Sequence, residues 1–181
     1  SAYEDVTRLL ASGSGGNQRE LFDCARRSVS EANAAAQEAA FNMLSVYLQT
    51  CAPEMAVKLR GSILTGIIEK GLTAAKAGTR QRAITCLGLL VSADTTADPV
   101  MTELTAVGLA SLKQPKLLIA VLQAIRELQS CFGAVLVGNS VKPTLLSLLS
   151  TAFQHADKTV RQECHDIVVE SSRWGSVCIN T

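Results

Sequence analysis

The sequence predicts an all-α solenoid of stacked antiparallel helix pairs, and three observations predict it. Hydrophobic residues make up 48% of the chain but aromatics only 4%, a mix rich in Ala and Leu that packs as helices rather than sheets. Apolar residues recur with a 3.6-residue period from end to end, and no stretch keeps the strict alternation of a strand. Turn-forming residues interrupt that period at comparable intervals, as repeated helix pairs require. With 181 residues the chain can bury a sizeable core, and residues 1–181 are read as one domain.

The elements follow in order. A short first helix precedes Ser12–Gly16 (Ser-Gly-Ser-Gly-Gly), which reads as a flexible linker. Leu21, Cys24, Ala25 and Val29 mark the next helix by their i, i+3, i+4, i+8 spacing, and Ala36, Ala39, Ala40, Met43, Leu44, Tyr47 and Leu48 continue a longer stripe. Ile63, Leu64, Ile67 and Ile68 are followed by Ala83, Cys86, Leu87, Leu90 and Val91. Next come Leu118, Val121, Leu122, Ile125 and Leu128, then Leu145, Leu148, Leu149, Ala152 and Phe153. The last stripe is Val160, Cys164, Ile167, Val168 and Ser171. Asp98-Pro99 reads as an N-cap with proline at the first helical position, where its missing N–H is harmless, and Gln114-Pro115 opens a helix in a similar way. Ser30 or Asn33, Thr79 and Asp157 are further candidate caps, and Gly71, Gly133 and Gly138 mark helix ends.

Turns inside the pairs fall near Asn33, Gly78, Gln114 and Asp157, separated by 45, 36 and 43 residues. That spread fits HEAT repeats of ~40–47 residues and not tetratricopeptide repeats, fixed at ~34. The fold class is therefore a HEAT-repeat α-solenoid of four pairs plus half a pair, with equivalent turns aligned on one edge.

Composition excludes several functions. Seventeen basic residues against 16 acidic ones give a net charge of +1, too balanced for a general nucleic-acid binder, and no aromatics interleave the basic turns. The apolar run Leu117–Leu122 is far shorter than the ~20 residues that cross a bilayer, so no membrane partner is expected, and no basic-then-apolar leader opens the sequence. Six cysteines, at positions 24, 51, 86, 131, 164 and 178, include no CxxC pair; they read as reduced thiols of an intracellular protein, with Cys86 and Cys164 in the core. Cys164 and His165 are neighbours on one helix, about 100° apart, and cannot act as nucleophile and base. The glycines at 13–16 lack the Gly-Lys-Ser/Thr ending of a phosphate loop, and Asp23, Glu69 and Glu127 sit in polar surroundings. No enzyme activity, cofactor or metal is expected.

The turns carry a different signal. Lys76, Arg80 and Arg82 surround Gly78, Lys113 and Lys116 flank Gln114, and Lys158 and Arg161 follow Asp157. On one solenoid edge these cations form a ridge with few acids beyond Asp157, suited to an acidic protein surface.

Short motifs in a fixed order add a resemblance. Ile125-Arg126-Glu127-Leu128, Cys131-Phe132-Gly133, Lys142-Pro143 and Leu145–Phe153 recur in one family, as does the run from Phe153 to Cys164 (Phe-Gln-His-Ala-Asp-Lys-Thr-Val-Arg-Gln-Glu-Cys), ending in Arg173-Trp174. Ser28–Glu38 matches its second-repeat loop. The chain resembles TOG domains throughout, closest to the N-terminal ones of microtubule polymerases. The resemblance implies binding of αβ-tubulin through the intra-repeat loops, by a monomeric domain of a larger protein that promotes microtubule growth in the cytoplasm. It assigns Lys76 and Arg80 to the third loop, Lys113 and Lys116 to the fourth, Lys158 and Arg161 to the fifth, and Asn33 and Ala34 to the second. The family's first-loop tryptophan has no counterpart here: Ser1-Ala2-Tyr3-Glu4 matches the helix after that loop, so the first repeat reads as incomplete, and Trp174 matches a core-capping position. The alternative is a HEAT scaffold for another acidic protein.

Overall fold

Nine α-helices and no strands make up the described part of the chain in a computed structural model that covers residues 2–13, 16–136, 138 and 140–175. They are α1 (Ala2–Ala11), α2 (Gln18–Ser28), α3 (Ala34–Thr50), α4 (Pro53–Gly66), α5 (Ala77–Ser92), α6 (Asp98–Ala110), α7 (Pro115–Phe132), α8 (Lys142–Ala152) and α9 (Lys158–Gly175). A π-helical turn, Ile67–Gly71, follows α4, and a 3₁₀ turn, Gly133–Leu136, follows α7. Ser14 and Gly15 of the expected linker, Cys178 and the Trp174 side chain lie outside the described residues.

The chain divides into two units, residues 1–95 and 96–181. In the first, α3 packs against α1, α2 and α5, while α4 packs against α2 and α5, so the second helix of each pair forms one layer and the first helix another. In the second unit α7 packs on α6 and α9, and α8 on the same two helices, giving the same two-layer pairing. This is the HEAT-type stacking that the periodicity predicts. Phe41, Met43, Leu44, Leu59, Ile63, Ile67 and Leu87 are fully buried in the first core, and Met101, Leu104, Leu118, Leu122, Ile125 and Ile167 in the second. Three stripe positions are exposed, against the expectation. Val168 stays 46% exposed because it lies roughly 80° round the helix from Val160, beyond the buried face. Phe153 follows the last residue of α8 and turns outward at 40% exposure, and Ser171 is exposed, its hydroxyl accepting from Gln129 Nε2.

Caps separate into real and apparent ones. Asn33 Oδ1 accepts from the N–H groups of Ala35 and Ala36, and Asp157 Oδ1 from that of Thr159, so both satisfy orphan donors of the helices they open. Asp98 is no cap: it is the first residue of α6, its own N–H donates to Thr96 Oγ1, and its carboxylate accepts from Ser140. Thr79 is buried inside α5 with its hydroxyl unpartnered, and Ser30 makes no cap bond among the described contacts. Pro115 does open α7 behind Gln114, and Gly133 ends it with φ +68, the left-handed conformation that glycine adopts without strain. The turn expected at Gly78 lies earlier, at 72–76, and Gly78 falls in the first turn of α5.

A partly exposed ion pair and two buried thiols give two predictions. Arg60 of α4 pairs with Asp94, just past α5, and this hydrogen bond, helped by the Thr95 N–H, holds the Asp94 carboxyl below its ordinary 3.8. A depressed carboxylate contributes stability that is complete above its unfolded pKa and fades as pH falls below it. Asp94→Asn should therefore flatten the fall in melting temperature between about pH 5 and pH 2.5 relative to the parent chain; equal slopes would remove the pair from the acid response. Burial pushes the Cys86 thiol up to about 12, while burial and the neighbouring Glu163 raise Cys164 to about 11. Both side chains are buried as expected, whereas Cys131 is exposed. Brief maleimide treatment at neutral pH should modify Cys131 and spare Cys86 and Cys164, read by peptide mass; labelling of the buried pair at the same rate would contradict this packing.

Candidate functional site

The candidate site residues lie on loops that join the two helices of each pair: the second (29–33) and third (72–76) in the first unit, and the fourth (111–114) and fifth (153–157) in the second. Within the first unit, Lys76 Nζ meets Glu38 Oε2 at 2.6 Å, which holds the third loop beside the start of α3. Glu4, Ala35, Glu38, Asn42, Lys76 and Arg82 line a groove there. Within the second unit, His155 Nε2 lies 3.0 Å from the carbonyl of Leu112, joining the fifth loop to the fourth. The Asp157 N–H donates to His155 Nδ1 at 3.0 Å, so the ring proton must sit on Nε2, where it donates to Leu112. Turns expected on a common edge thus lie side by side in each unit.

The expected site residues differ in how free they are. Asn33 and Ala34 are exposed, but the Asn33 amide oxygen is committed to its cap. Glu31 Oε1 accepts from the N–H groups of Ala32 and Asn33, so the second loop is held by side chains and carries an acid. Lys76 is exposed and ion-paired to Glu38; the first unit's edge is therefore mixed in charge, not the nearly acid-free ridge the sequence suggests. Local spacing could not reveal this pair, because Glu38 lies 38 residues from Lys76.

Arg80 and Arg161 fold back. Arg80 Nη1 donates to the carbonyls of Ala74 and Ala75 at 2.7 and 2.8 Å. Arg161 Nη1 donates to those of His155 and Ala156 at 2.6 and 2.8 Å. The sequence allows Arg161 to turn back on Asp157 or Asp166; the structure turns it onto the loop backbone instead. By contrast Lys113, Lys116 and Lys158 are exposed and make no hydrogen bond or ion pair with any described residue. All three stand on the two loops that His155 joins or on the helix turns directly after them. Lys116 is the second residue of α7 and Lys158 the first of α9, so each cation sits at the positive end of a helix dipole.

The α9 helix that carries Lys158 is anchored to α7 from inside. Glu163, 8% exposed, accepts from Gln123 Nε2 at 2.8 Å and pairs with Arg126 at 3.3 Å. Sequence reasoning missed His155 and Glu163 as organising residues. The local signal for His155 was its place two residues before the Asp157 cap; Glu163 carries no such signal, since its partners lie a full repeat away.

Comparison with known proteins places this geometry in context. The family model described as XMAP215/Dis1/CLASP, TOG domain, matches residues 1–179. The spindle pole body component alp14 of Schizosaccharomyces pombe is 34% identical over 96% of this chain and 22% of its own length. Centrosomal protein 224 of Dictyostelium discoideum is 27% identical over 96% of this chain and 8% of its own length, and protein mini spindles of Drosophila melanogaster is 29% identical over 82% and 7%. The chain thus spans about a fifth or less of these relatives. A solved structure from work on tubulin recruitment and assembly by microtubule polymerases with TOG domain arrays superposes with a TM-score of 0.80 at 26% identity, over 93% of this chain and 36% of the other. The MAST/Orbit N-terminal domain superposes at 0.77 with 14% identity, over 96% of this chain and 76% of that one, a likeness of fold. With a family model running over nearly all of its length, the chain belongs to the XMAP215/Dis1/CLASP family of TOG domains.

Proposed function

We propose that this chain is a binding module for the αβ-tubulin heterodimer, acting as one TOG domain over residues 1–181 and using its intra-repeat loops. The carrying observation is that Lys113, Lys116 and Lys158 stand exposed, their side chains without a hydrogen bond or ion pair to any described residue, on two loops braced against each other and on the helix turns directly after them. Surface cations without internal partners and at unfavourable helix ends are placed for carboxylates of a partner, where they set orientation and on-rate. Lys76 would exchange Glu38 for a tubulin carboxylate, and Asn33 with Ala34 would offer a neutral contact. Arg80 and Arg161 complete the set of loop residues. The description of the superposing structure, which names tubulin recruitment, supports this choice of partner.

The module is monomeric, needs no cofactor or metal, and performs no chemistry of its own. We place it in the cytoplasm at the microtubule cytoskeleton, as part of a longer multi-domain protein that promotes microtubule growth; the small share of each relative that it spans supports that setting. Size-exclusion chromatography of the chain with unpolymerised αβ-tubulin tests the reading. A shared, earlier-eluting peak is expected. Separate elution at micromolar concentrations would sink it and favour a scaffold for another acidic protein.

A further inference from the structure

We infer that Glu38 is a built-in competitor of the partner, a carboxylate of the chain's own that occupies Lys76 in the free domain and limits how tightly the third loop binds. The inference rests on the tubulin reading for its consequence, while the ion pair itself stands without it. Glu38 belongs to α3 and places Oε2 2.6 Å from Lys76 Nζ. Its Oε1 lies against the first turn of α5, where a Cβ on Gly78 would meet it at 2.9 Å, so glycine at this position is what admits the carboxylate. Lys76 is the N-cap residue of α5 and makes no side-chain cap bond. The helix start therefore adds its positive dipole to the ammonium, and both favour an anion at the spot that Glu38 fills.

An ammonium beside such a helix start suits a partner's carboxylate, and Glu38 supplies the same group from within. Lys113, Lys116 and Lys158 of the second unit carry no such acid, for they make no ion pair with a described residue. The pair in the first unit is also easy to open. Both side chains are about half exposed, and an ion pair in that setting is weak. Arg82 is exposed, makes no hydrogen bond or ion pair with a described residue, and lines the same groove as Glu38 and Lys76. A displaced Glu38 thus keeps a cation beside it. Binding at the third loop exchanges one carboxylate for another, and its affinity is lowered by the strength of the internal pair.

The test compares Glu38→Gln with the parent chain and repeats the comparison in a Lys76→Met background. In titrations with unpolymerised αβ-tubulin, Glu38→Gln should bind about two- to fivefold more tightly, the strength of an exposed ion pair. Lys76→Met should bind less tightly than the parent and should erase that gain. An equal gain in both backgrounds would mark a general charge effect and overturn the inference. Unchanged or weaker binding by Glu38→Gln would overturn it too, since the pair would then add nothing or shape the loop for the partner. In the free chain, acylation of Lys76 by a succinimidyl ester, read by peptide mass, should speed up in Glu38→Gln, because the amine loses the carboxylate that favours its charged form. An unchanged acylation rate would show that Glu38 does not occupy Lys76. If the parent chain does not bind tubulin, the functional reading fails, while the acylation rates still decide whether the internal pair exists.

Discussion

Triple reversal of Lys113, Lys116 and Lys158 to glutamate is expected to abolish co-elution with αβ-tubulin while leaving the fold as stable as the parent, or slightly more so. The two halves of this result have separate causes. Among the described residues none of the three lysines has a partner to lose, and exposed substitutions away from special features usually move stability by no more than ~0.5 kcal/mol. Lys116 and Lys158 also occupy first-turn positions, where a carboxylate gains ~0.3–1 kcal/mol from the dipole that disfavours a cation. In the complex each reversal sets like charges against each other, and close interfacial pairs are coupled by about 1.5 kcal/mol or more. Three such changes should weaken binding by at least ~10²-fold. Chromatography with tubulin and a thermal melt followed by circular dichroism measure both halves. A stable variant that still co-elutes would show that these loops are not the contact surface.

Phe41→Ala should produce the largest loss of stability among single core changes, about 3–5 kcal/mol, because its ring is wholly buried in α3 and leaves a cavity. The ring also explains why residue 71 is glycine. A methyl group there would come within 2.7 Å of two ring carbons and 2.8 Å of the Ala83 Cβ. Alanine is the better helix former, yet Gly71→Ala should destabilise by about 1–3 kcal/mol through overpacking. With the ring removed, the added methyl partly fills the space it vacated. The double variant should then cost less than the sum of the singles by about 1 kcal/mol or more, as contacting residues do. Urea denaturation of the four chains supplies the cycle, and simple additivity would mean that the ring is not what excludes the methyl.

Much of the fold was legible in the sequence because burial on a helix is a local, periodic matter. Met43, Leu44 and Tyr47 fall on the buried face of α3 simply because they recur at helical spacing. Asn33 and Asp157 could be read as caps for the same reason, since a cap needs only the chain within three residues of it. The site was harder to read where distance in sequence separates partners. Lys76 looks like a free cation until folding brings Glu38 to it, and Asp98 looks like a cap until Ser140 takes its carboxylate. Arg80 and Arg161 are intermediate cases. Their targets are near in sequence, but the direction of a loop carbonyl depends on backbone angles that residue identities do not specify. A basic turn therefore reads as a uniformly charged surface, whereas folding turns Arg80 and Arg161 onto their loop carbonyls, pairs Lys76 with Glu38 and leaves Lys113, Lys116 and Lys158 exposed.

The line from Arg161 through His155 to Leu112 has a consequence for rates. Because folding already sets the two loop backbones, an encounter with a partner has only the long lysine side chains left to immobilise, at about 0.5–1.5 kcal/mol each. No slow rearrangement of main chain should follow collision, so stopped-flow mixing should give one exponential phase whose rate rises linearly with tubulin concentration. Cutting the line at His155 would restore main-chain freedom to the fourth loop, and complex formation would then acquire a second phase that no longer speeds up at high concentration.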